Sequence, residues 1–270
     1  RFAASGVDGS AHGIDLTTSA IVASSGNVSL IGNSALGGRG IGLTDNSRIQ
    51  TSTGEISLVG TQTATNDWGA ITLRNSNVLS NTGRITLTGN KSVDTSNGHA
   101  GVALVTSNVA TNGDVNLNSP TSILLLQNNS GVGTARNGAT TSASVSMVAK
   151  RISASGSVVA GTGNLVIEPS GQSFEAGSGL AVFDWASTVS DFVNVRIGKA
   201  GTITTQSLNQ LTISAAIRVP GTITIHASQL NANAPIAATA SGADVDLRLT
   251  TGFNATSSLL SNGGAVKIRA

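Results

Sequence analysis

Few residues in this sequence have the types and the spacing that catalysis requires. Asp244 and Asp246 lie two positions apart, so a strand there would place both carboxylates on one face. Paired carboxylates are the acid and the base of glycoside hydrolysis. The 13 acidic residues are otherwise spread along the chain, and the solvent-facing side of a half-buried strand explains this pair more simply. We therefore expect no catalytic residue and no enzymatic activity.

Residues that could bind a metal ion are also sparse. Asp8 and Asp15 lie in a Gly- and Asp-containing segment that is weakly similar to calcium-binding nonapeptides, but it is a single imperfect copy. Such sites need successive turns that supply oxygen ligands. The three histidines are far apart and lack Cys or acidic partners at ligand spacing: His12, His99 and His226. We expect no metal site and no cofactor.

Asparagine occurs in several segments that fit the acceptor pattern for N-glycosylation. The matches begin at Asn27, Asn90, Asn128 and Asn254. Because Asn, Ser and Thr are abundant throughout the chain, several matches are expected by chance. Their abundance has a structural cause, since stacked turns let amides and hydroxyls hydrogen-bond to their neighbours. We also expect the position of Asn27, between a turn and a strand, to hide its side chain.

The elements that must position these residues form a repeat. Residues 40–60 hold three short apolar segments separated by small polar residues and glycine: Ile41 with Leu43, Ile49 alone, and Ile56 with Leu58. The same arrangement recurs in residues 14–30, 71–87 and 102–117. Alternation of apolar and polar residues is the period of a strand with one buried face. Each repeat therefore predicts three short strands.

The length of the repeat predicts the architecture. The closing segment reads Gly-x-Ile/Val-x-Leu, and its last leucine advances by 28, 29 and 30 residues through Leu30, Leu58, Leu87 and Leu117. Periods of this size are typical of solenoids, and helical spacing is absent from these repeats. We predict an all-β chain, a right-handed parallel β-helix of about ten coils with three short strands each. At about 4.8 Å per coil the rod would be about 50 Å long.

The repeat favours one elongated domain over residues 1–270 rather than two globular domains. Residues 1–12 are expected to be irregular or the end of a preceding coil, residues 13–169 long coils, residues 170–200 an aromatic-rich insertion and residues 201–270 short coils. The chain begins with Arg1 and has no signal peptide, so we expect it to be a piece of a longer chain.

The insertion contains the one helical pattern in the sequence. Trp185, Val189, Phe192 and Val193 stand at positions i, i+4, i+7 and i+8, and Asp184 has the chemistry of an N-cap. We predict a short helical or irregular insertion near residues 184–193, whose aromatic side chains form a satellite cluster outside the strands.

The composition excludes several functional classes. Charged residues make up 10% of the chain, against about 25% in an average soluble domain. The 15 basic residues form no cluster with stacking aromatics, which argues against nucleic-acid binding. No apolar run approaches the roughly 18 residues that span a bilayer, so we expect no membrane insertion. The absence of cysteine suits a protein that folds outside the cell.

Two sequence features carry a family resemblance. Gly-x-Ile/Val-x-Leu strands recur in a Ser-, Thr-, Asn- and Gly-rich background without cysteine. An aromatic turn, Phe183-Asp-Trp, precedes a hydrophobic-Arg-Ile-Gly strand that ends at Gly198 and a Gly-Thr-Ile-Thr strand from Gly201. This pattern resembles the repeat region of filamentous-haemagglutinin-like exoproteins, the large adhesins that Gram-negative bacteria export by two-partner secretion. The Asn-Pro-Asn type signature of that family's secretion domain is absent, so the resemblance is to the rod.

The resemblance implies a secreted or cell-surface protein whose shaft displays or spaces an adhesive part and which is exported through an outer-membrane partner. The expected partners are components of host cells, bacterial cells or matrix. Neither residues 1–10 nor residues 264–270 form a polar cap, so we also expect end-to-end self-association into a filament, sheath or matrix, or continuation into further repeats.

Two other functions fit the same fold. A carbohydrate-active β-helix enzyme, such as a polysaccharide lyase or hydrolase, would bring three or more acidic or basic side chains together beside Trp68 or Trp185. A fibre like a phage tailspike would usually form trimers and contain more aromatic residues, and its mass in solution would distinguish it.

Overall fold

A computed structural model describes residues 2–6, 12–35, 37–64, 69–92, 100–133, 143–171, 174, 183–199 and 210–269. Every regular element in these residues is a β-strand, and none of them is helical, so no helix of the described chain could span a membrane. The all-β prediction is confirmed.

The strands are short in most of the chain and longer where two or three segments of a repeat run on without a turn. In chain order they are β1 (Phe2–Gly6), β2 (Ile14–Thr17), β3 (Ala20–Ala23), β4 (Val28–Ser34), β5 (Ile41–Thr44), β6 (Arg48–Thr51), β7 (Ile56–Gln62), β8 (Ile71–Arg74), β9 (Asn77–Ser80), β10 (Ile85–Lys91), β11 (Ala100–Val105), β12 (Asn108–Ala110), β13 (Val115–Gln127), β14 (Gly131–Val132), β15 (Val145–Ala160), β16 (Asn164–Pro169), β17 (Phe183–Ser190), β18 (Asn194–Ile197), β19 (Gln210–Ile213), β20 (Ile217–Val219), β21 (Ile223–Ala232), β22 (Ile236–Ser241), β23 (Val245–Ala255), β24 (Leu259–Asn262) and β25 (Val266–Arg269).

All of the strand pairings are parallel, and each joins a strand to its counterpart one repeat later. The first ladder runs through β2, β5, β8, β11, β13, β15, β17, β19, β21 and β23. The second runs through β3, β6, β9, β12, β14, β15, β17, β20, β22 and β24. The third runs through β1, β4, β7, β10, β13, β15, β16, β18, β21, β23 and β25.

The register of the third ladder follows the Gly-x-Ile/Val-x-Leu segments. Leu30 pairs with Leu58, and Leu58 pairs with Leu87, so the same inward position of successive repeats forms one row. These leucines are at most 1% exposed. Rows of this kind from the three ladders join into one continuous hydrophobic core. A slip of one residue would turn every buried side chain outward, so the apolar pattern itself specifies the pairing.

Glycine at the start of the closing segment lets successive turns stack closely. A Cβ atom on Gly83 would lie 1.8 Å from the carbonyl oxygen of Gly54, the equivalent residue one repeat earlier. No side chain fits in that space. The same contact recurs at Gly54, where a Cβ atom would lie 1.8 Å from the carbonyl oxygen of Gly26, whereas Gly26 itself has a φ of 104°.

The predicted helix near residues 184–193 is wrong, because the segment contains strand β17 (Phe183–Ser190). Trp185 and Val189 are 0% and 3% exposed, and Ser187 between them is also buried. A spacing of four residues fits both a helix and an alternating strand, and here the strand forms because its backbone pairs with β15. Phe192 is buried after the strand, whereas Val193 is 46% exposed.

Trp185 and Phe192 belong to the main core and not to a satellite cluster. Trp185 pairs with Ala154 on one side and Ile213 on the other. A small residue next to the indole provides the room that the large ring needs.

The start of the described chain also contains a strand, since β1 pairs in parallel with β4 and extends the third ladder. The predicted short coils cover residues 201–270, and the first part of that region lies in residues 200–209, which are outside the described residues.

Candidate functional site: the outward face of the third ladder

The outward side chains of the third ladder form two rows that cross the repeats. The first row contains Ser29, Ser57, Thr86, Asn116, Ser146, Val166, Arg196, Thr224, Asp246 and Lys267. The second row contains Ile31, Val59, Thr88, Asn118, Val148 and Glu168, and it resumes at His226, Arg248 and Arg269. Side chains that are one repeat apart in sequence thereby come to lie side by side.

These rows divide into two parts of different chemistry. We call the part from Ser29 to Val148 the early face and the part from Val166 to Arg269 the late face. The early-face positions of both rows hold Ser, Thr, Asn, Ile and Val and carry no charge. The late-face positions contain most of the charged side chains of the ladder: Glu168, Arg196, Asp246, Arg248, Lys267 and Arg269.

A groove of about 340 Å³ lies at the beginning of the late face. It is lined by Asn164, Leu165, Val166, Asn194, Val195, Arg196, Thr222 and Thr224. Val166, Arg196 and Thr224 belong to the first row. Asn164, Asn194 and Thr222 each stand two residues earlier in the chain and form a further outward row beside it. The groove therefore follows the direction in which the repeats stack.

Hydrogen bonds between repeats fix the amides of this groove. Asn194 Nδ2 donates to Asn164 Oδ1 at 3.0 Å, and Asn194 Oδ1 accepts from the backbone N–H of Thr222 at 2.9 Å. Arg196 forms an ion pair with Glu168, and its side chain stays 41% exposed. Amide, hydroxyl and guanidinium groups of this kind have the hydrogen-bonding chemistry to bind and orient a polar ligand.

The far end of the late face is a network of ion pairs. Asp246 Oδ2 accepts a hydrogen bond from Arg248 Nε at 3.0 Å and forms an ion pair with Arg248 Nη2 at 2.9 Å. Its other oxygen, Oδ1, is buried without a hydrogen bond and lies 3.7 Å from Arg269 Nε. Asp246 is only 8% exposed, because its neighbours cover it. A carboxylate held in this way serves charge balance and position.

His226 of the late face and Asp244, which directly precedes β23, have shifted pKa values. The hydrogen bond from Lys267 and a second from the backbone N–H of Ala265 lower the pKa of Asp244, because both stabilise the carboxylate. Partial burial lowers the pKa of His226, and the positive charges of Arg248 and Arg196 lower it further. The two shifts favour an uncharged imidazole at His226 and an ionised carboxylate at Asp244.

The comparisons with known proteins identify no family. A scan against protein-family models, a search of curated proteins and a search of solved structures each found no match to this chain. The chemistry of the groove and of the ion pairs is therefore the basis on which we interpret the site.

The two aspartates that the sequence singled out do share this face, but they do not form a pair of free acids. Asp244 is bound by Lys267, and Asp246 by Arg248. Trp185 is fully buried and its Nε1 donates to the carbonyl of Ser187 at 2.8 Å, so it contributes no ring to a sugar-binding surface. Trp68 lies outside the described residues.

The histidine and aspartate near the start of the chain lie together on a different part of the surface. His12 Nδ1 accepts from the backbone N–H of Arg39 at 2.8 Å, and Asp15 lies 4.0 Å from both His12 and Arg39. Burial lowers the pKa of Arg39, and Asp15 partly offsets that effect. Within the described residues no three His, Cys, Asp or Glu side chains could hold a metal ion, and Asp8 and His99 lie outside them.

The asparagines with the glycosylation pattern occupy different settings. Asn27 is exposed, contrary to the expectation that the strand start hides it, and its Oδ1 accepts from the backbone N–H of Glu55 at 2.8 Å. Asn128 has a φ of 54° in a tight turn. Asn90 is half-buried in β10, and Asn254 is exposed in β23.

Sequence reasoning missed the residues that make this site distinctive. Arg196, Arg248 and Lys267 were not singled out, because each is an isolated basic residue when the chain is read linearly. Aligning the repeats would have revealed them, since the 21-residue interval between Leu247 and Ile268 also places Lys267 beside Asp246. Lys91, which is fully buried and donates to Gln62 Oε1 at 2.8 Å, was missed for the same reason.

Proposed function

We propose that the chain is a right-handed parallel β-helix of about ten coils with three short strands each. The three parallel ladders support this fold, because every strand pairs with its counterpart one repeat later. One continuous core of stacked aliphatic rows, with few aromatic residues, is what a narrow β-helix requires. Stacking at about 4.8 Å per coil gives a rod of about 50 Å.

We further propose that this rod is a structural and adhesive segment of a secreted or cell-surface exoprotein of a Gram-negative bacterium, related to filamentous-haemagglutinin-like exoproteins. The observation that carries the proposal is the late face. It exposes a groove of amides, hydroxyls and a guanidinium, while the nearby carboxylates are bound by Lys and Arg. Such a surface binds ligands without transforming them, so the proposed role is not enzymatic and requires no cofactor.

The proposed partners are components of host cells, bacterial cells or extracellular matrix, reached after export through an outer-membrane secretion partner. Nucleic acid and the membrane interior are not among them. The resemblance of the repeats to secreted adhesins supports this placement, and so does the lack of cysteine.

The exposed end of the third ladder supports stacking of a further repeat. Val266 and Ile268 are 41% and 47% exposed, whereas Val245 and Leu247, which hold the same inward positions one repeat earlier, are 0% exposed. We propose that either the next repeat of a longer chain or the end of a second copy covers these side chains, which would build a filament, sheath or matrix.

Adhesion and shape can be tested on the purified chain. Small-angle scattering should give an elongated particle about 50 Å long. Beads coated with the chain should bind saturably to cultured cells or to a bacterial lawn, and the double variant Asn194→Ala/Arg196→Ala should bind several-fold less. The matched variant Ser57→Ala/Thr86→Ala on the early face should bind normally. Beads that bind no better than albumin-coated beads would overturn the adhesive role.

A further inference from the structure

We propose that the early face is a lateral self-association surface on which a second copy of this chain packs side by side. This inference rests on the proposed rod and adds a second mode of contact to the stacking of rod ends. It concerns the two uncharged rows whose centre is Thr86 and Thr88 on β10.

The composition of the early face is that of an interface centre. Ile31, Val59 and Val148 give it half-buried aliphatic side chains, interspersed with small hydroxyls and amides. Charged residues lie along its margin, where Arg84 Nη2 is 3.9 Å from Asp114 Oδ2. An uncharged centre with a charged rim is the arrangement found in protein–protein interfaces.

The chemistry of these rows fits a copy of the same surface. A hydroxyl is both a donor and an acceptor, and an amide offers both functions, so Ser, Thr and Asn rows can satisfy identical rows. Both copies also share one repeat distance, which keeps the rows in step along the contact. The late face lacks this property, because pairing it with itself would bring the cations Arg196, Arg248 and Lys267 together.

The area of the early face predicts a weak complex. Five strands at about 4.8 Å cover about 24 Å, and seven residues at about 3.3 Å cover about 23 Å, which is about 550 Å² on each copy. Two copies would bury about 1,100 Å², close to the lower limit for a specific interface. We therefore expect a dimer that forms at high concentration and that many rods on one surface would reinforce through multivalency.

Sedimentation velocity of the whole chain, from about 10 µM to about 500 µM, tests this inference. The average mass should rise towards that of a dimer as concentration increases. Thr88→Lys, at the centre of the face, should weaken the association at least about tenfold, because it buries an unpaired charge. Thr88→Asp repeats the test with the opposite charge if the lysine variant folds poorly.

Two control variants separate this surface from the alternatives. Gln50→Lys places the same charge on the outward side of the second ladder and should leave the association unchanged. Ile268→Lys alters the exposed end of the third ladder and should also leave it unchanged. Constant monomer mass up to about 500 µM, equal weakening by Gln50→Lys, or loss of the dimer in Ile268→Lys alone would overturn the proposal. If dimers fail to form while the beads still adhere, only this inference fails and the adhesive function stands.

Discussion

The early and late faces of the third ladder lie over one continuous core and differ mainly in their outward side chains. Leu58 and Leu247 hold the same inward position and are both fully buried, and their strands pair in the same parallel way. Their outward neighbours are Ser57 and Val59 in one case and Asp246 and Arg248 in the other. The inward rows therefore determine the fold, which leaves the outward rows free to vary with function.

Charged side chains also affect the folding stability differently in the early and late parts of the ladder. Most pairs of the late face are half-exposed, and such pairs contribute little to stability. Asp246 is the exception, since it is covered by the side chains around it. We call the repeats beneath the early face the early half and those beneath the late face the late half. The early half has a polar pair inside the core, where the side chains of Lys91 and Gln62 are fully buried.

Removing a core leucine should cost the same in both halves. Leu58→Ala and Leu247→Ala should each lower the free energy of unfolding by about 2–5 kcal/mol, because both create a cavity in a closely packed row. Urea denaturation followed by circular dichroism measures this. Ser57→Ala serves as the control and should change stability by less than about 0.5 kcal/mol. A large cost in only one half would show that the two interiors are not equivalent.

Because the amine of Lys91 is buried, its hydrogen bond to Gln62 should contribute to the free energy of unfolding. Gln62→Leu removes the acceptor of Lys91 Nζ inside the core, and we expect a loss of about 1–3 kcal/mol in the free energy of unfolding. Gln62→Glu retains an acceptor oxygen and should cost less. If the two variants are equally stable, the hydrogen bond has no energetic role.

Neutralising Asp246 should destabilise the late half by a smaller amount. Asp246→Asn weakens one hydrogen bond and one ion pair with Arg248, and because that arginine is half-exposed we expect a loss of only about 1–2 kcal/mol in the free energy of unfolding. The more exposed Asp244→Asn should have a smaller effect on the urea midpoint. An Asp246→Asn variant as stable as the parent would mean that the cost of desolvating the Asp246 carboxylate cancels the stabilisation from its interactions with Arg248.

Mild acid should slightly lower the free energy of unfolding through the protonation of His226. Its pKa is below the ordinary 6.5 in the folded chain, so below about pH 6.5 the unfolded chain binds the proton first. Stability should therefore fall from about pH 6.5 towards the folded pKa and then level off. The groups around the imidazole are Arg248 and Asp246 on β23 and Arg196 on β18. Asp244 contributes nothing in this range, since its pKa is lowered from 3.8.

Comparing urea midpoints at about pH 7.5 and about pH 5 measures this effect. His226→Gln should remove most of the difference between the two pH values. If the variant and the parent respond equally to acid, the pH dependence originates elsewhere in the chain.

The apolar pattern was sufficient to predict strands, their parallel arrangement and the inward rows, because one Gly-x-Ile/Val-x-Leu segment contains the turn, the period and the buried face together. It was insufficient near Trp185, where a four-residue spacing satisfies a helix and a strand equally. It also left the late face unrecognised. Arg196, Asp246 and Lys267 fall in one row only through the pairing of successive repeats, which local sequence patterns do not contain.

The most direct test of the account is whether distance along the third ladder grows with the number of strands crossed. The chain has no cysteine, so spin labels can be attached in pairs at Ser29 with Asn116, Arg196 or Lys267. Pulsed electron paramagnetic resonance should give separations of about 14, about 29 and about 43 Å, since three, six and nine strand spacings of about 4.8 Å lie between the labels. A separation between positions 29 and 267 that is shorter than the one between positions 29 and 196 would contradict a continuous stack of repeats.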